Sequence, residues 1–256
     1  MAVSTGIPIL FHDINIVSYL KEKFVDIYIS RTSEDISERI TNVRQEIIET
    51  LLTSSSSDNI LTALNDAKRY LEEVIEGYKG AGYEPLIDTG LKLKSRLLVG
   101  TGNPYLKGLF DIGMCWDPYL NLPYIPATSI KGVLRFSAEL LSLCIDVFGN
   151  KEEAGDIIIL DSYPISCERK LIDVDIINPH YKEVEGKIKE IDVNPVPIPF
   201  LTVAAGVTFR FVIMRRKGLK GCNVSDMRRI LEYALRVGFG AKTSLAYGRF
   251  VMGDST

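Results

Sequence analysis

The sequence predicts an α+β fold, and three observations carry that prediction. Apolar residues recur at helical spacing through roughly the first 80 residues, strands and glycine turns take over from Gly90 onward, and two later amphipathic stretches interrupt those strands. The chain has 256 residues, 46% hydrophobic and 25% charged, with a formal charge of −3. That is ordinary for a globular protein able to bury a real core. A mildly acidic body excludes a protein that coats nucleic acid along its whole surface, so any nucleic-acid contact has to be a local patch.

The elements follow in order. Ile36, Ile40, Val43, Ile47 and Leu51 form a helical stripe after the polar start Thr32-Ser33-Glu34-Asp35, and the serines Ser54 to Ser57 break it. Asp58 then reads as the N-cap of a second stripe, Ile60, Leu64, Ala67, Leu71, Val74 and Tyr78, which ends in the Gly77 to Gly82 region. The pair reads as a helical hairpin, either a cover for the sheet or a docking face for a neighbouring subunit. We therefore divide the chain into a helical extension over 1–89, packed on the core, and a main domain over 90–256. Leu91 to Val99 is the first expected strand, and the long loop Gly100 to Pro123 carries Tyr105, Phe110, Trp116 and Tyr119. A helix follows over Ser129 to Cys144, with Val133, Phe136, Leu140 and Leu143 on its apolar face.

Further strands are expected at Asp156 to Ser162 and Leu171 to Ile177. The proline-rich run Asn194 to Pro199 cannot be a central strand, because proline donates no ladder hydrogen bond. Val207 to Met214 is the next strand. Asn223 or Ser225 caps a helix carrying Met227, Ile230, Leu231, Ala234 and Leu235, and Ser244 to Met252 closes the sequence as a strand. Stripped of insertions, this order fits a ferredoxin-like (RRM-like) αβ-plait, an antiparallel sheet with helices on one face.

Four cysteines, Cys115, Cys144, Cys167 and Cys222, are widely scattered, without a CxxC pair and with only His12 and His180 beside them. That is no zinc framework, and we expect neither metal nor cofactor. The N-terminus lacks a signal-peptide layout and no apolar run nears the roughly 20 residues that span a bilayer. A cytoplasmic protein with reduced thiols and no membrane partner is expected. The single glutamine, Gln45, and the abundant Ile, Lys and Glu are a composition of the kind thermophiles favour.

Two turns carry the chemistry. In the first, Ser129 stands where a helix N-cap belongs and Lys131, Gly132 and Arg135 occupy the opening turns. A phosphate there would meet free N–H groups, the positive end of the helix dipole and two cations. The second turn has Gly238 and Gly240 around Phe239, then Lys242, Thr243, Ser244, Tyr247, Gly248 and Arg249, with no acid between Glu232 and Asp254. Its glycines can expose consecutive N–H groups to an anion, and Tyr247 or Phe239 can stack on a base. If both turns line one groove, the surface grips RNA. The string GFGAKTS is not a P-loop, which needs glycine where Ala241 and Arg236 stand and a helix where a strand follows.

These residues resemble a known family. LLVGTGNPYL near Leu97, LPYIPATSIKGVLR at Leu122 to Arg135, LDSYPIS at Leu160 to Ser166 and DVDIINPHY at Asp173 to Tyr181 are similar to segments of the RAMP proteins of CRISPR type III effector complexes. PVPIPFLTVAAGVTFRF at Pro195 to Phe211 and the closing GFGAKTSLAYGRF complete the series, which is most like the small terminal RAMP family of the Cmr (type III-B) complex. The resemblance implies a non-catalytic RNA-binding subunit of a ribonucleoprotein that carries a CRISPR RNA and finds complementary target RNA in antiviral defence. It implies a place near the 3′ end of the guide, capping the backbone filament beside another Cmr RAMP and the small helical subunits. Guide contacts are implied at Ser129, Lys131 and Arg135 and along the turn from Gly238 to Arg249. The sequence departs from the family at Ala127-Thr128, where Pro-Gly-Ser is frequent, and loss of that glycine stiffens the turn.

Some RAMP relatives cut RNA. A metal-free ribonuclease wants a histidine or tyrosine base near the 2′-hydroxyl and a cation for the developing charge. His180, in Asn178-Pro179-His180-Tyr181, is the one histidine suited to that role, so the alternative reading is a metal-independent endoribonuclease of the guide-processing type centred on it. In the non-catalytic reading, His180 and Trp116 are candidates for contact with RNA or a neighbouring subunit.

Overall fold

A computed structural model describes residues 15–29, 35–56, 58–102, 109–178, 182–184, 187–189, 197–218 and 221–252. Three helices come first: α1 (Ile16–Ile29), α2 (Ile36–Ser54) and α3 (Leu61–Gly80). Strand β1 (Tyr83–Leu93) precedes the two-residue strands β2 (Trp116–Asp117) and β3 (Leu122–Pro123), then α4 (Ala127–Leu141), β4 (Ile157–Ile159) and β5 (Tyr163–Cys167). An inserted arm carries β6 (Ile172–Ile177), β7 (Lys182–Val184), β8 (Lys187–Lys189) and β9 (Ile198–Val203). The chain ends with β10 (Val207–Arg216), α5 (Val224–Val237) and β11 (Phe250–Met252).

The main sheet runs β11-β1-β10-β4, with β5 continuing beside β10 where β4 leaves it, and every pairing is antiparallel. Taking β4 and β5 as one interrupted strand, chain order maps onto spatial order as 4-1-3-2. With α4 and α5 as the two connections, that is the expected ferredoxin-like plait. The two insertions fall between β1 and α4 and between β5 and β10. In the second, β6 pairs among the described residues with β9 alone, which places Pro199 in a two-stranded ribbon instead of the main sheet.

Strand β10 is buried on both faces because successive side chains alternate. Phe209, Phe211 and Ile213 enter the main core with Phe239 and Phe250, whose rings meet Phe211 at centroid distances of 5.3 and 5.4 Å. Val212 and Met214 point the other way, onto Ile75 of α3. Helices therefore cover both faces of the sheet, α4 and α5 on one and α3 on part of the other. The helices of the expected plait account for the first face only. Arg210 ties the α3 layer down: its guanidinium donates twice to the Asp88 carboxylate, at 2.8 and 2.9 Å, and lies 3.8 Å from Glu72.

Three element expectations need correction. The first strand begins at Tyr83, before Gly90, since Glu84, Asp88 and a bulge between Pro85 and Ile87 interrupt the apolar alternation that would have marked it. Helix α4 buries Ile130, Leu134, Ser137 and Ala138, whereas Phe136 and Leu140 are about half exposed. The small residues Ser137 and Ala138 share that buried stripe with Ile130 and Leu134, and α4 packs against α5. The closing strand is only Phe250–Met252, because Thr243–Leu245 forms a single tight 3-10 turn.

The thiols are not all reduced. Cys144, just past α4, is bonded to Cys222, just before α5, with Cα atoms 5.4 Å apart, while Cys115 and Cys167 are free. Disulfides persist in oxidising compartments and also in hyperthermophile proteins, and the second case matches the composition. The bridge closes a 78-residue separation, which in the chain-entropy model stabilises by about 4.5 kcal/mol at most. Cys144→Ser should lower the calorimetric unfolding midpoint by on the order of 10 °C, and added reductant should do the same to the wild type. Equal midpoints with and without reductant would count against the bridge.

Candidate nucleic-acid interface

The first turn is filled from within. Pro126, not Ser129, is the N-cap of α4, and no side chain of the helix caps it. The Asp161 carboxylate accepts the Ala127 N–H at 2.6 Å, and the Ser129 and Ile130 N–H groups both reach the Pro126 carbonyl. A carboxylate thus already occupies the positive end of the helix, where it stabilises by roughly 0.3–1 kcal/mol. The sequence reading missed Asp161, although it sits in the LDSYPIS segment. Arg135 lies two turns along the helix, with its guanidinium on Glu139 at 3.0 Å and the Gly149 carbonyl at 3.3 Å. Lys131 is half-buried and makes no ion pair among the described residues. Gly132 is exposed, and a Cβ there would meet nothing within 4 Å, so room for a close approach remains.

Tyrosines gather beside this turn. Tyr163 donates to Asp117 Oδ2 at 2.7 Å, stacks on Tyr124 and meets Tyr70 edge-on. Burial first, and the Asp117 hydrogen bond second, push the Tyr163 phenol far above its ordinary value, so it stays protonated. Trp116, a candidate contact with RNA or a subunit, is only 2% exposed; its indole N–H donates to Asn121 Oδ1 at 3.3 Å, which makes it a core residue. Phe110 is likewise buried, and Tyr119 is exposed. Tyr105 and His180 lie outside the described residues.

The second turn is held from both sides. Gly248 N–H donates to the Arg96 carbonyl, Ala241 N–H to Leu98, and Phe239 N–H to Gly248. The glycines are demanded by this packing: Gly240 has φ +88° and a Cβ would sit 2.3 Å from the Leu98 oxygen, while at Gly248, φ +63°, it would sit 1.9 Å from the Phe239 oxygen. Phe239 is fully buried against Phe211 and Phe250, so it cannot stack on a base. Ser244, Leu245 and Ala246 are exposed at the tip of the turn, and Lys242, Thr243, Tyr247 and Arg249 are half-buried around them. The Lys242 ammonium stands 4.2 Å from the centroid of buried Phe200 and 5.6 Å from that of Tyr247. A cation held by aromatic faces keeps its N–H donors available to an anion. Arg249 gives one N–H to the Thr243 carbonyl at 3.1 Å and makes no ion pair among the described residues.

A chain of backbone hydrogen bonds links the two turns: Ala241 N–H to the Leu98 carbonyl, Cys115 N–H to the Val99 carbonyl and Tyr124 N–H to the Cys115 carbonyl. Arg96, beside the second turn, is neutralised by Asp173 at 2.8 Å and Asp175 at 3.4 Å, and Lys170 also reaches Asp173 at 2.7 Å. Burial opposes ionisation of Asp173, but the hydrogen bonds from Lys170, Arg96 and the Val174 N–H together hold its carboxyl below the usual value.

Among the described residues, no group of three or more histidine, cysteine, aspartate or glutamate side chains is arranged to hold a metal ion. Nor is any described helix long and apolar enough to cross a membrane.

A plait with a glycine-basic turn between its last helix and last strand defines the class, and the chain belongs to the RAMP superfamily, whose family model matches residues 90–251. Its relatives narrow this further. It is 32% identical over 234 residues to the CRISPR system CMR subunit Cmr6 of Saccharolobus solfataricus, covering 90% of this chain and 78% of that protein. It is also 32% identical over 124 residues to the Cmr6 subunit of Pyrococcus furiosus, 44% of this chain and 35% of that one. A chain in the cryo-EM structure of the type III-B Cmr-beta bound to cognate target RNA superposes with a TM-score of 0.74 and 26% identity, covering 94% of this chain and 92% of that chain.

Two outcomes follow for the geometry of the site. Gly248→Ala should destabilise by about 2 kcal/mol or more in urea unfolding, whereas Gly132→Ala, in an open helical position, should stabilise by about 0.5–1 kcal/mol. Equal effects would show that the second turn is not packed as described. The Asp173 contribution is complete above the ordinary carboxylate value of about 3.9 and is lost as pH falls through the lowered one. Asp173→Asn should therefore lower the thermal midpoint at neutral pH, and the gap to wild type should close on acidification below that range. A gap that stays constant with pH would contradict the network.

Proposed function

We propose that the chain is a non-catalytic RNA-binding subunit of a type III-B CRISPR ribonucleoprotein acting in the cytoplasm. It holds the 3′ region of the CRISPR RNA and caps the backbone filament, next to another Cmr RAMP and the small helical subunits, while the complex engages complementary target RNA. The observation that carries this reading is the likeness, over nearly the full length of both chains, to a chain of an assembly bound to cognate target RNA. The turn from Gly238 to Arg249 supplies the grip. Lys242 and Arg249 contact phosphate, Thr243 offers a hydroxyl, and half-buried Tyr247 presents its ring to a base or sugar.

Helix α4 contributes Lys131 and the open surface at Gly132. Ser129 and Arg135 remain within reach of a strand that passes along the helix, Arg135 by exchanging Glu139 for a phosphate. The helices of the 1–89 extension serve as the covering layer of the sheet, which β1 already enters at Tyr83, with the outer helices toward a neighbouring subunit.

Lys242→Ala combined with Arg249→Ala should weaken binding of a labelled single-stranded guide RNA by ten-fold or more. It should also flatten the salt dependence by about 0.7 log unit of affinity per log unit of salt for each lost phosphate contact. The same variant should retain less RNA when co-purified with tagged neighbouring subunits. RNA binding and retention equal to wild type would overturn the assignment of the turn.

A further inference from the structure

The second face of the sheet is not covered to its end. Strand β1 carries Lys92 opposite Val251 on one side and Thr208 on the other, and Thr208 stands opposite Ser166. This row crosses all four strands on the face that α3 covers farther along. Val251 and Ser166 are exposed, and Lys92 and Thr208 are half-buried. A cavity of about 470 Å³ opens there, and its charged lining is Lys92, Lys94, Arg169 and Glu168. Glu168 is taken by Lys92. Lys94 and Arg169 are exposed and make no ion pair among the described residues. No aromatic ring lines the cavity, so it suits a sugar-phosphate backbone and not a stacked base.

The cavity adjoins the second turn directly, since the Lys94 N–H donates to the Arg249 carbonyl at 2.8 Å. We propose that this open end of the sheet is a second phosphate-binding subsite, in which Lys94 and Arg169 hold the RNA backbone where it leaves the turn at Lys242 and Arg249. The inference rests on the RNA-binding reading above and extends the contact by one strand-width onto the other face. The subsite reads no sequence and adds affinity that depends on salt.

The test is anisotropy titration of the full chain with a fluorescein-labelled single-stranded RNA oligonucleotide across a salt series. Lys94→Ala with Arg169→Ala should weaken binding on the order of ten-fold and reduce the salt slope by about 1.4. Lys94→Arg should bind as wild type, and the exposed charge control Lys151→Ala with Lys217→Ala should change neither quantity. If Lys242→Ala with Arg249→Ala loses binding while the Lys94 and Arg169 pair does not, the subsite is wrong and the turn stands. A loss in the control as large as in the test pair would also overturn the subsite, as general charge attraction. Absence of binding by wild type at low salt would overturn both.

Discussion

Strand β1 runs out of sheet at Leu93, and the hydrogen bonds that the next six residues must find elsewhere organise the candidate interface. Buried backbone groups seldom go unpaired. Here Lys94 N–H goes to Arg249, the Arg96 carbonyl takes Gly248 N–H, Leu97 pairs both ways with Val203, the Leu98 carbonyl takes Ala241 N–H and the Val99 carbonyl takes Cys115 N–H. One extended segment thus ties the closing turn, the inserted arm and the β2–β3 loop to the plait. The glycines of the turn follow from this constraint, because any Cβ at Gly240 or Gly248 would strike a carbonyl oxygen. Gly132 is different in kind, with nothing near it for a side chain to disturb.

The same segment sorts the charges. Arg96 turns toward Asp173 and Asp175 and is neutralised, while Lys94, two residues earlier, is exposed and makes no ion pair among the described residues. Lys242 is steadied by aromatic rings in place of carboxylates. A protein of net charge −3 can attract a polyanion only where its cations are held apart from its acids. The edge of the sheet at β1 and β11 is such a place.

Much of this was legible in the chain. The α5 stripe, Met227 to Leu235, is buried as read, and Asn223 caps the helix by accepting Asp226 N–H at 2.8 Å, because both signals are local. Other features depend on partners distant in sequence. Loop position alone leaves Trp116 open to core packing or to contact with RNA or a neighbour; Asn121, at φ +55°, decides for the core, since its amide oxygen meets both the indole and the Ile16 N–H. The Cys144–Cys222 bridge has no spacing signature over 78 residues. Helix α4 misleads for a steric reason: its largest apolar residues face out, and close approach to α5 selects Ser137 and Ala138 for the inner face.

The α4 terminus shows where a motif and its chemistry part. Lysine and arginine near a helix start oppose the dipole, and a bound phosphate would relieve that cost. Asp161 relieves it instead, by placing a carboxylate on Ala127 N–H, and the Pro126 carbonyl accepts two of the next three N–H groups. An RNA phosphate competing for that position would have to displace a covalently tethered anion whose local concentration is far higher. The helix can therefore add side-chain charge from Lys131 but not a backbone anion cradle. In the proposed reading the grip on a sugar-phosphate chain therefore falls to the turn between α5 and β11, where Lys242 and Arg249 make no ion pair among the described residues.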